Sequence, residues 1–374
     1  MTTTKPSSGY HLPDVTYSRF KFRVPSDRGS VDIKLVAEKL DKHGVCIVSK
    51  LFSNEASKDM FSCIMDDIKK NVPGFDYQDK KTWPFLLERM RPTHGLIVQN
   101  FGFGWLQSIV DIRTHPYIAQ LYAQLYSHYD SKTYDMTNDM FSSSDGFSVS
   151  LKQDPNVVAR ESGEKKVSKA GYYGGKDWLH FDQKPSEKVR SIQGFLNLKD
   201  VENELGATFC FISESHKHQE EFAQKFLATE KEEDPRFYRL KNDDEVQFFL
   251  EKGHYWALLL EEGDFVLWNS KLIHQGRPHV FDMEKTSNDL ERCVVYAAYQ
   301  PRCYATKGDL RMKKKAFDEL RTTTHNASFG VELFAAEPRL YSAEEQDKRK
   351  KGFYATKLAT HPSMTISQMM LFLP

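Results

Sequence analysis

A series of short strand-like segments occupies the middle of this chain and limits what it can fold into. The segments FSVSLKQD (147–154), VRSIQGFLNLKDV (189–201), ATFCFISESHKH (207–218) and RCVVYAAYQPR (292–302) are apolar or alternating and end at polar or turn residues. YWALLLEEGDFVLWNSKLIHQG (255–276) holds two more strands around an acidic turn. Roughly six strands of this length and spacing fit two antiparallel sheets packed as a jelly roll.

Helical patterns flank the strand region on both sides. Residues 56–71 and 104–129 place apolar side chains at helical spacing, as helices that cover a core do. Residues 309–321 and 343–352 form charged helical segments after the last strand. These patterns predict an α+β protein with a mostly β core. The predicted fold is a double-stranded β-helix of the jelly-roll or cupin-like kind, with flanking N-terminal helices and a C-terminal extension.

The pattern also predicts how the chain is divided. Residues 1–30 are polar at their start and are expected to form a flexible N-terminal tail. Residues 31–304 are expected to form one domain, with a helical N-terminal part (31–145) and a jelly-roll core (146–304). Residues 305–374 are expected to form a helical extension, which either covers the barrel or carries a partner surface.

Charge and composition give no support for a nucleic-acid or membrane partner. The chain carries 52 basic and 52 acidic side chains, and no apolar run reaches the roughly 18 residues of a membrane span. The N-terminus lacks the apolar core of a signal peptide. The five cysteines are scattered and form no CxxC pair, as is typical of a reducing compartment. We therefore expect a cytoplasmic protein, and its oligomeric state stays open.

Three residues have the composition of a metal site. His180 and Asp182, in DWLHFDQ, lie two positions apart, so on an extended strand their side chains point to the same face. His274, in GDFVLWNSKLIHQG, is the third candidate. Two histidines and one carboxylate on one face of an ion form the facial triad of non-heme Fe(II) oxygenases. The alternative is a buried imidazole–carboxylate pair that holds no metal.

These segments resemble the phytanoyl-CoA dioxygenase-like family. DWLHFDQ, LNLKDVENELGATFCFISESH (196–216) and GDFVLWNSKLIHQG follow one another in that family's order, with an acidic turn, Gly206 and a loop that ends in Ser-His. The resemblance spans roughly residues 43–302. It implies an Fe(II)- and 2-oxoglutarate-dependent oxygenase on a double-stranded β-helix, which uses O2 and releases succinate and CO2. It also implies that His180, Asp182 and His274 hold the iron.

The resemblance further implies an arginine that binds the distal carboxylate of 2-oxoglutarate. Such an arginine normally lies on the strand after the distal histidine, and Arg292 opens that strand here. Arg277 is the competitor, but QGRP resembles a turn in which this side chain would face solvent. Gln193 is a candidate for hydrogen bonding to the co-substrate. An arginine suits the carboxylate because its guanidinium donates two parallel hydrogen bonds.

Other histidines and tryptophans receive structural interpretations. His216 and His218 are expected to hydrogen-bond or pack, and His254 and His279 to lie on the surface. Trp178 and Trp268 flank the predicted ligands and are expected to pack within the barrel or form a wall of its pocket. The polar loop 158–175, which precedes His180, predicts either a lid over the site or a plain solvated connection.

The presence of Asp182 favours hydroxylation over halogenation, because related halogenases lack this carboxylate and leave room for chloride. The expected substrate is an unidentified small molecule. Two alternatives stay open: a catalytically silent binding module with the oxygenase fold, and a hydroxylase of a macromolecule such as protein or nucleic acid. The lysine-bearing insertion at 158–176 and the basic helix near residue 311 leave room for the second alternative.

Overall fold

Two β-sheets that face each other make up the centre of the molecule. The computed structural model describes residues 10–27, 29–163, 167–175, 177–228 and 234–374. One sheet has six strands, the other has eight, and a separate pair of strands lies beside them.

The strands are short, as the sequence pattern predicts. They are β1 (Thr16–Ser18), β2 (Arg23–Asp27), β3 (Ser30–Val31), β4 (Val45–Ser49), β5 (Ile97–Val98), β6 (Met140–Ser142), β7 (Phe147–Lys152), β8 (His180–Phe181), β9 (Ile192–Asn197), β10 (Thr208–Ile212), β11 (Tyr238–Arg239), β12 (Tyr255–Leu258), β13 (Phe265–Asn269), β14 (Ile273–Arg277), β15 (Leu290–Tyr296) and β16 (Tyr299–Pro301).

Helices surround the sheets on the N-terminal and C-terminal sides. They are α1 (Ile33–His43), α2 (Asn54–Asn71), α3 (Pro84–Met90), α4 (Gln107–Arg113), α5 (Pro116–Asp130), α6 (Pro155–Ser162), α7 (Gln219–Phe222), α8 (Asp243–Leu250), α9 (Lys307–Asp318), α10 (Ala343–Lys350) and α11 (Ile366–Phe372). Short 3-10 turns cover Lys80–Thr82, Phe103–Trp105, Ser215–His218 and Arg302–Tyr304, and a π-helical turn covers Ala223–Leu227. Within the described part of the chain, no helix combines the length and apolar character that crossing a bilayer requires.

The order of the strands in the two sheets is that of a double-stranded β-helix. The six-stranded sheet runs β1-β12-β10-β14-β8-β11, and the eight-stranded sheet runs β3-β2-β4-β13-β9-β15-β7-β5. The eight strands β7 to β10 and β12 to β15 form the barrel, and all the pairs that they make with one another are antiparallel. This arrangement confirms the predicted fold class.

Pairing between β8 and β14 sets the position of the predicted metal site. His274 lies directly opposite His180 in the antiparallel register. Directly opposite residues point to the same face of a sheet, with Cβ atoms roughly 5 Å apart. The two imidazoles therefore enter the barrel at one level, although 93 residues of chain separate them.

The N-terminal segment departs from the predicted flexible tail. β1 pairs in parallel with β12, and β2 pairs in parallel with β4, so this segment extends both sheets at their edges. Arg23 on β2 also donates to the fully buried Asp264 at 2.8 Å. Edge strands with unpaired backbone groups gain hydrogen bonds from such an addition. Residues 1–9, also part of the predicted tail, lie outside the described residues.

The C-terminal extension packs against the N-terminal helices. Leu320 and Phe372 form a small apolar cluster with Trp105 and Val110. The predicted helices at 309–321 and 343–352 correspond to α9 and α10. A capping box between Thr306 and Asp309 starts α9, which explains why this helix begins before the predicted position.

His279 corrects one prediction of surface exposure, because its side chain is fully buried. Its Nδ1 accepts a hydrogen bond from the backbone N–H of Ala207 at 2.9 Å, and its Nε2 donates to the carbonyl of Ser150 at 3.4 Å. This pair of bonds requires the neutral ring. Burial lowers the pKa of His279 to about 3. His254, which received the same prediction, is exposed.

The buried His279 predicts loss of stability in acid. Its pKa is about 6.5 in the unfolded chain and far lower in the fold, so the unfolded chain binds more protons between pH 6.5 and 3. The free energy of unfolding therefore falls as the pH drops through this window. We expect His279→Gln to reduce the slope between pH 6 and 4.5 by about 1.4 kcal/mol per pH unit, as measured by urea unfolding.

The exposed His254 supplies the control for this measurement. His254→Gln should keep the wild-type slope. An unchanged slope in His279→Gln would mean that this side chain does not resist protonation in the fold.

Candidate metal centre

Three predicted ligands meet inside the barrel. His180 Nε2 lies 3.6 Å from Asp182 Oδ2, and His274 Nε2 lies 3.4 Å from the same oxygen. One ligand atom from each of the three residues lies within 4.8 Å of the other two. Both histidines are buried, at 4% and 5% exposure. The cluster predicted from three separated positions of the sequence is therefore present as a group.

Each imidazole is oriented by the carbonyl group two residues before it. His180 Nδ1 donates to the carbonyl of Trp178 at 3.0 Å, and His274 Nδ1 donates to the carbonyl of Leu272 at 2.9 Å. A carbonyl oxygen only accepts, so the hydrogen of each neutral ring lies on Nδ1. Each Nε2 then presents a lone pair toward Asp182. Fixing the far nitrogen in this way is the usual support of a metal-ligating histidine.

Asp182 is held by its backbone and by its carboxylate. Its N–H donates to the carbonyl of Ser270 at 2.9 Å, and Gln193 Nε2 donates to its Oδ2, also at 2.9 Å. Burial disfavours the ionised carboxylate, but positive charge on the neighbouring imidazoles of His180 and His274 outweighs this effect and holds its pKa well below the usual range. When both rings are neutral, a bound cation would supply that charge. Gln193 therefore supports a predicted ligand, and its contact with the co-substrate stays a prediction.

These donor atoms fit a divalent cation. Two neutral imidazole nitrogens and a carboxylate oxygen converge as three electron-pair donors, and burial lowers the pKa of His274, which keeps its Nε2 free of a proton. Such a group is electrostatically incomplete until a cation lies between its members. Two nitrogens and one oxygen on one side, with a cavity on the other, match the ligand set of non-heme Fe(II) sites.

The cluster opens into a cavity of about 370 Å³. Its volume lies in the range of small-molecule sites. Barrel strands form the floor, and the segments 93–99, 236–237 and 324–334 form the remaining walls. Its aromatic lining consists of Trp178, Phe195, Phe209, Phe237, Trp268, Tyr296 and Phe334.

Trp178 both packs in the barrel and lines the cavity. Its indole lies between two imidazoles, 4.4 Å from the ring of His180 and 3.9 Å from that of His94, with 13° between the planes in each pair. Its Nε1 donates to the carbonyl of Gly276 at 2.9 Å. The stack therefore fixes the plane of one predicted ligand. Trp268, the other predicted wall, lies 5.5 Å from the His274 ring.

Arg292 places a buried positive charge on the cavity wall. Only 2% of the residue is exposed, and burial lowers the pKa of its guanidinium. Its Nε donates to Ser148 Oγ at 3.3 Å and its Nη1 to the carbonyl of Ala207 at 3.1 Å. Among the described residues, neither the hydrogen bonds of this guanidinium nor the charges that act on it involve a carboxylate. A buried cation without a counterion is costly, which makes the position suited to an anionic ligand.

The competing Arg277 lies away from the cavity, but not in solvent. QGRP is not a turn, because β14 continues to Arg277 and alternation points this side chain to the face opposite His274. The residue is 7% exposed, and its Nη2 donates to the carbonyl of Glu204 at 3.0 Å. Tyr17 and Tyr173 lie near its guanidinium. The prediction of a solvent-facing Arg277 is therefore wrong.

The described residues of the loop before His180 do not contribute to the cavity. Residues 155–162 form α6, and none of the described residues between 158 and 175 lines the cavity. Tyr172 instead forms an isolated bridge with His279 at the side of the barrel. Residues 164–166 and 176 lie outside the described residues. His216 has the predicted structural role, since its Nε2 hydrogen-bonds the carbonyl of Asp41 at 3.2 Å.

The sequence pattern does not identify several of the residues that line the cavity. His94 has a left-handed backbone with φ of 53°, and Asp145 precedes the first barrel strand; burial raises the pKa of Asp145 to about 6. His325 and Asn326 come from the C-terminal extension. No periodic pattern marks these positions. The cluster of polar residues in TTTHN, beyond the last strand, was the one available signal.

Comparisons with solved structures find likenesses of low identity. SnoN of nogalamycin biosynthesis, in complex with Fe3+, alpha ketoglutarate and nogalamycin RO, is 13% identical, with 83% of this chain and 96% of that chain covered and a TM-score of 0.44. EctD from S. alaskensis with bound Fe is 12% identical, with coverages of 70% and 75% and a TM-score of 0.40. AviO1 from Streptomyces viridochromogenes Tue57 is 13% identical, with coverages of 72% and 96% and a TM-score of 0.39.

The amino-acid sequence matches one protein-family model over part of its length. A comparison with curated proteins finds no match to this chain. Residues 169–282, less than a third of the chain, match the family model of phytanoyl-CoA dioxygenase (PhyH). This stretch contains His180, Asp182 and His274, and it confirms the resemblance stated from the sequence. Across its metal-binding candidates, the chain therefore contains a segment that matches the phytanoyl-CoA dioxygenase (PhyH) family.

Proposed function

We propose that this protein is an Fe(II)- and 2-oxoglutarate-dependent dioxygenase that hydroxylates a small molecule. One observation carries the proposal. Two oriented imidazoles, a carboxylate and a buried arginine without a carboxylate partner among the described residues line one cavity. The first three are suited to hold a divalent ion, and the arginine is suited to hold an anion beside it.

His180, Asp182 and His274 would hold the iron, and Arg292 would hold the far carboxylate of 2-oxoglutarate. When bound, the iron and the 2-oxo acid supply the oxidative chemistry, in which O2 converts 2-oxoglutarate to succinate and CO2 and one oxygen atom enters a C–H bond of the substrate. The protein contributes geometry, charge and exclusion of water. The family match across residues 169–282 supports the assignment of the three iron ligands, and Arg292 lies beyond the matched residues.

The protein prepares its ligand atoms before anything binds. The carbonyl groups of Trp178 and Leu272 hold the protons of the two rings on Nδ1, so each Nε2 stays available. Gln193 holds the carboxylate of Asp182 from the other side. A ligand group fixed in this way reorganises little when the ion enters.

Arg292 would act as a fixed anion receptor. Its bonds to Ser148 and Ala207 use Nε and Nη1 and thereby fix the plane of the guanidinium. A carboxylate that reaches this position gains charge-assisted hydrogen bonds in a buried environment, where they are stronger than in water. The cost of burying the cation is thereby offset by its ligand.

Asp182 supports hydroxylation over halogenation, since its carboxylate fills the position that a halide would need. The C-terminal extension closes one side of the cavity, which favours a small molecule over a macromolecule. A silent binding module is the alternative, and retention of all three donor residues argues against it.

Substitution of the carboxylate tests the metal site directly. We expect Asp182→Ala to weaken Mn(II) binding, measured by electron paramagnetic resonance, by at least about 100-fold, because outer-shell changes alone cost 10–100-fold. Succinate formation with Fe(II) should be lost. Asp145→Asn is the matched control, because Asp145 lines the same cavity outside the cluster. Equal Mn(II) affinity in wild type and Asp182→Ala would contradict the assignment.

Substitution of the two competing arginines tests the co-substrate site. We expect Arg292→Gln to raise the Kd for 2-oxoglutarate, measured by calorimetry on Mn(II)-loaded protein, by about 30-fold or more. This is the effect of losing about 2 kcal/mol from a buried charge pair. Arg277→Gln should keep the wild-type Kd, because Arg277 lies on the opposite face of β14. A raised Kd in Arg277→Gln with an unchanged Kd in Arg292→Gln would mean that Arg277 binds the carboxylate of 2-oxoglutarate.

A further inference from the structure

A wall of the cavity comes from the C-terminal extension. Residues 324–326, Glu332 and Phe334 line the cavity, although they follow the last barrel strand. The backbone between them folds back on itself through an isolated bridge between Thr323 and Leu333. We call residues 322–334 the C-terminal wall.

The C-terminal wall is fastened to the body of the protein. The N–H of Thr323 donates to the carbonyl of Ser144 at 2.9 Å, and the N–H of Ser144 donates to Thr323 Oγ1 at 3.0 Å. Within the wall, the N–H of Thr324 donates to the carbonyl of Glu332 at 3.0 Å. Gln300 Oε1 accepts from the N–H of Ser328 at 2.9 Å. Groups on this wall therefore have fixed positions before a ligand arrives.

Three consecutive residues of the wall carry buried polar atoms without a hydrogen-bond partner in the described part of the chain. These atoms are Thr324 Oγ1, His325 Nε2 and Asn326 Nδ2. His325 is 8% exposed and Asn326 is 2% exposed. Buried polar atoms are rarely left unpaired, and each one costs roughly 1–3 kcal/mol. Three such atoms on the wall of one cavity indicate a ligand with hydrogen-bonding groups.

Asn326 is oriented by a short chain of hydroxyl groups that leads to the metal cluster. Its Oδ1 accepts from Ser191 Oγ at 3.4 Å, and Ser191 Oγ accepts from Ser270 Oγ at 3.0 Å. The carbonyl of Ser270 in turn accepts the N–H of Asp182. The amide oxygen of Asn326 is thus occupied, and its Nδ2 group is left to donate.

The polar group of the ligand is neutral. Arg236, the cation beside the wall, lies 3.0 Å from Glu187 and 3.6 Å from Glu332, so its charge is already compensated. Arg292 is assigned to the co-substrate. Burial lowers the pKa of His325 to about 4, so its ring is neutral near pH 7 and offers one donor and one acceptor. An alcohol or a carboxamide can pair with these groups without adding charge, whereas a carboxylate would bring a negative charge that Arg236 is not free to balance.

The remaining surface of the cavity suits an apolar body. Phe237, which is 56% exposed, lies with its ring 5.2 Å from that of His180 at the open side of the cavity. Ile97, Trp178 and Phe334 complete this surface. A ligand with an aromatic or aliphatic body would cover the exposed Phe237 ring and remove apolar surface from water.

We propose that His325 and Asn326 of the C-terminal wall recognise the substrate, and that this substrate joins a neutral hydroxyl or carboxamide group to an apolar body. The proposal rests on the proposed function, because it makes this wall the substrate side of the same cavity. His325 and Asn326 are binding residues in this proposal, while the metal and 2-oxoglutarate are held by the barrel.

The test uses the full chain loaded with Mn(II) and 2-oxoglutarate without O2, and four probes of one size: benzyl alcohol, benzamide, toluene and benzoate. Ligand-observed nuclear magnetic resonance titrations give each Kd. We expect wild-type protein to bind the alcohol and the amide at least about 10-fold more tightly than toluene or benzoate. We expect His325→Leu and Asn326→Leu to remove this preference while toluene binds as before.

His361→Leu is the matched control, because His361 is an exposed histidine of the same extension and does not line the cavity. It should retain the wild-type preference. A wild-type protein that prefers toluene or benzoate, or binds none of the probes, would overturn the proposal. So would variants that keep the preference, or variants that instead lose 2-oxoglutarate or Mn(II).

The two proposals fail in distinguishable ways. Absence of measurable affinity for Mn(II) and 2-oxoglutarate in wild-type protein would refute the proposed function. The probe titrations, repeated on metal-free protein, would still decide whether the C-terminal wall recognises neutral polar ligands. Unfolding in urea compares the stability of each variant with that of wild type, so that a folding defect is not mistaken for lost recognition.

Discussion

The pairing of β8 with β14 is the constraint on which the site depends. This register places His180 directly opposite His274, and the next residue but one, Asp182, meets both rings at the end of β8. Three electron-pair donors that converge in a buried place repel one another unless a cation joins them. Each Nδ1 donates to a carbonyl group, so a neutral ring has no proton on Nε2 to donate to Asp182. The strand pairing therefore brings together three groups that a bound cation would stabilise.

Arg292 is a buried cation on the wall of the same cavity and would be stabilised by an anion. Among the described residues, neither the hydrogen bonds of its guanidinium nor the charges that act on it involve a carboxylate, although two neutral acceptors fix its orientation. The cavity thus combines three electron-pair donors that lack a cation with a guanidinium that lacks an anion. This combination is suited to a metal ion bound together with a chelating anion. The C-terminal wall adds neutral polar groups on a third side. In the two proposals, the metal cluster binds the iron, Arg292 binds the far carboxylate of 2-oxoglutarate, and the C-terminal wall binds the substrate.

Short-range patterns predicted the barrel and the centre of the site, because alternation on a strand fixes which residues share a face. Alternation places His180 and Asp182 on one face, whereas His274 and Arg292 were identified with the help of the resemblance to the phytanoyl-CoA dioxygenase-like family. The errors have physical causes. Arg277 was expected in solvent because QGRP resembles a turn, whereas β14 continues to this residue. His279 was expected on the surface, but the segment after β14 folds against the barrel and buries it. β1 has only three residues and β2 contains a proline, so neither shows a strand pattern, and both form by pairing with the unpaired edges of other strands. His325 and Asn326 reach the cavity by tertiary packing, which leaves no local pattern.

The most direct test of the account is an anaerobic titration of Fe(II)-loaded protein with 2-oxoglutarate, followed by visible absorption. In the proposed function, His180, Asp182 and His274 would hold one iron ion, and the 2-oxo acid would bind to this ion while its far carboxylate contacts Arg292. The account predicts a new visible charge-transfer band that saturates at one equivalent of 2-oxoglutarate. A folded protein that binds Fe(II) and 2-oxoglutarate and shows no such band would contradict it, because the two ligands would then occupy separate places.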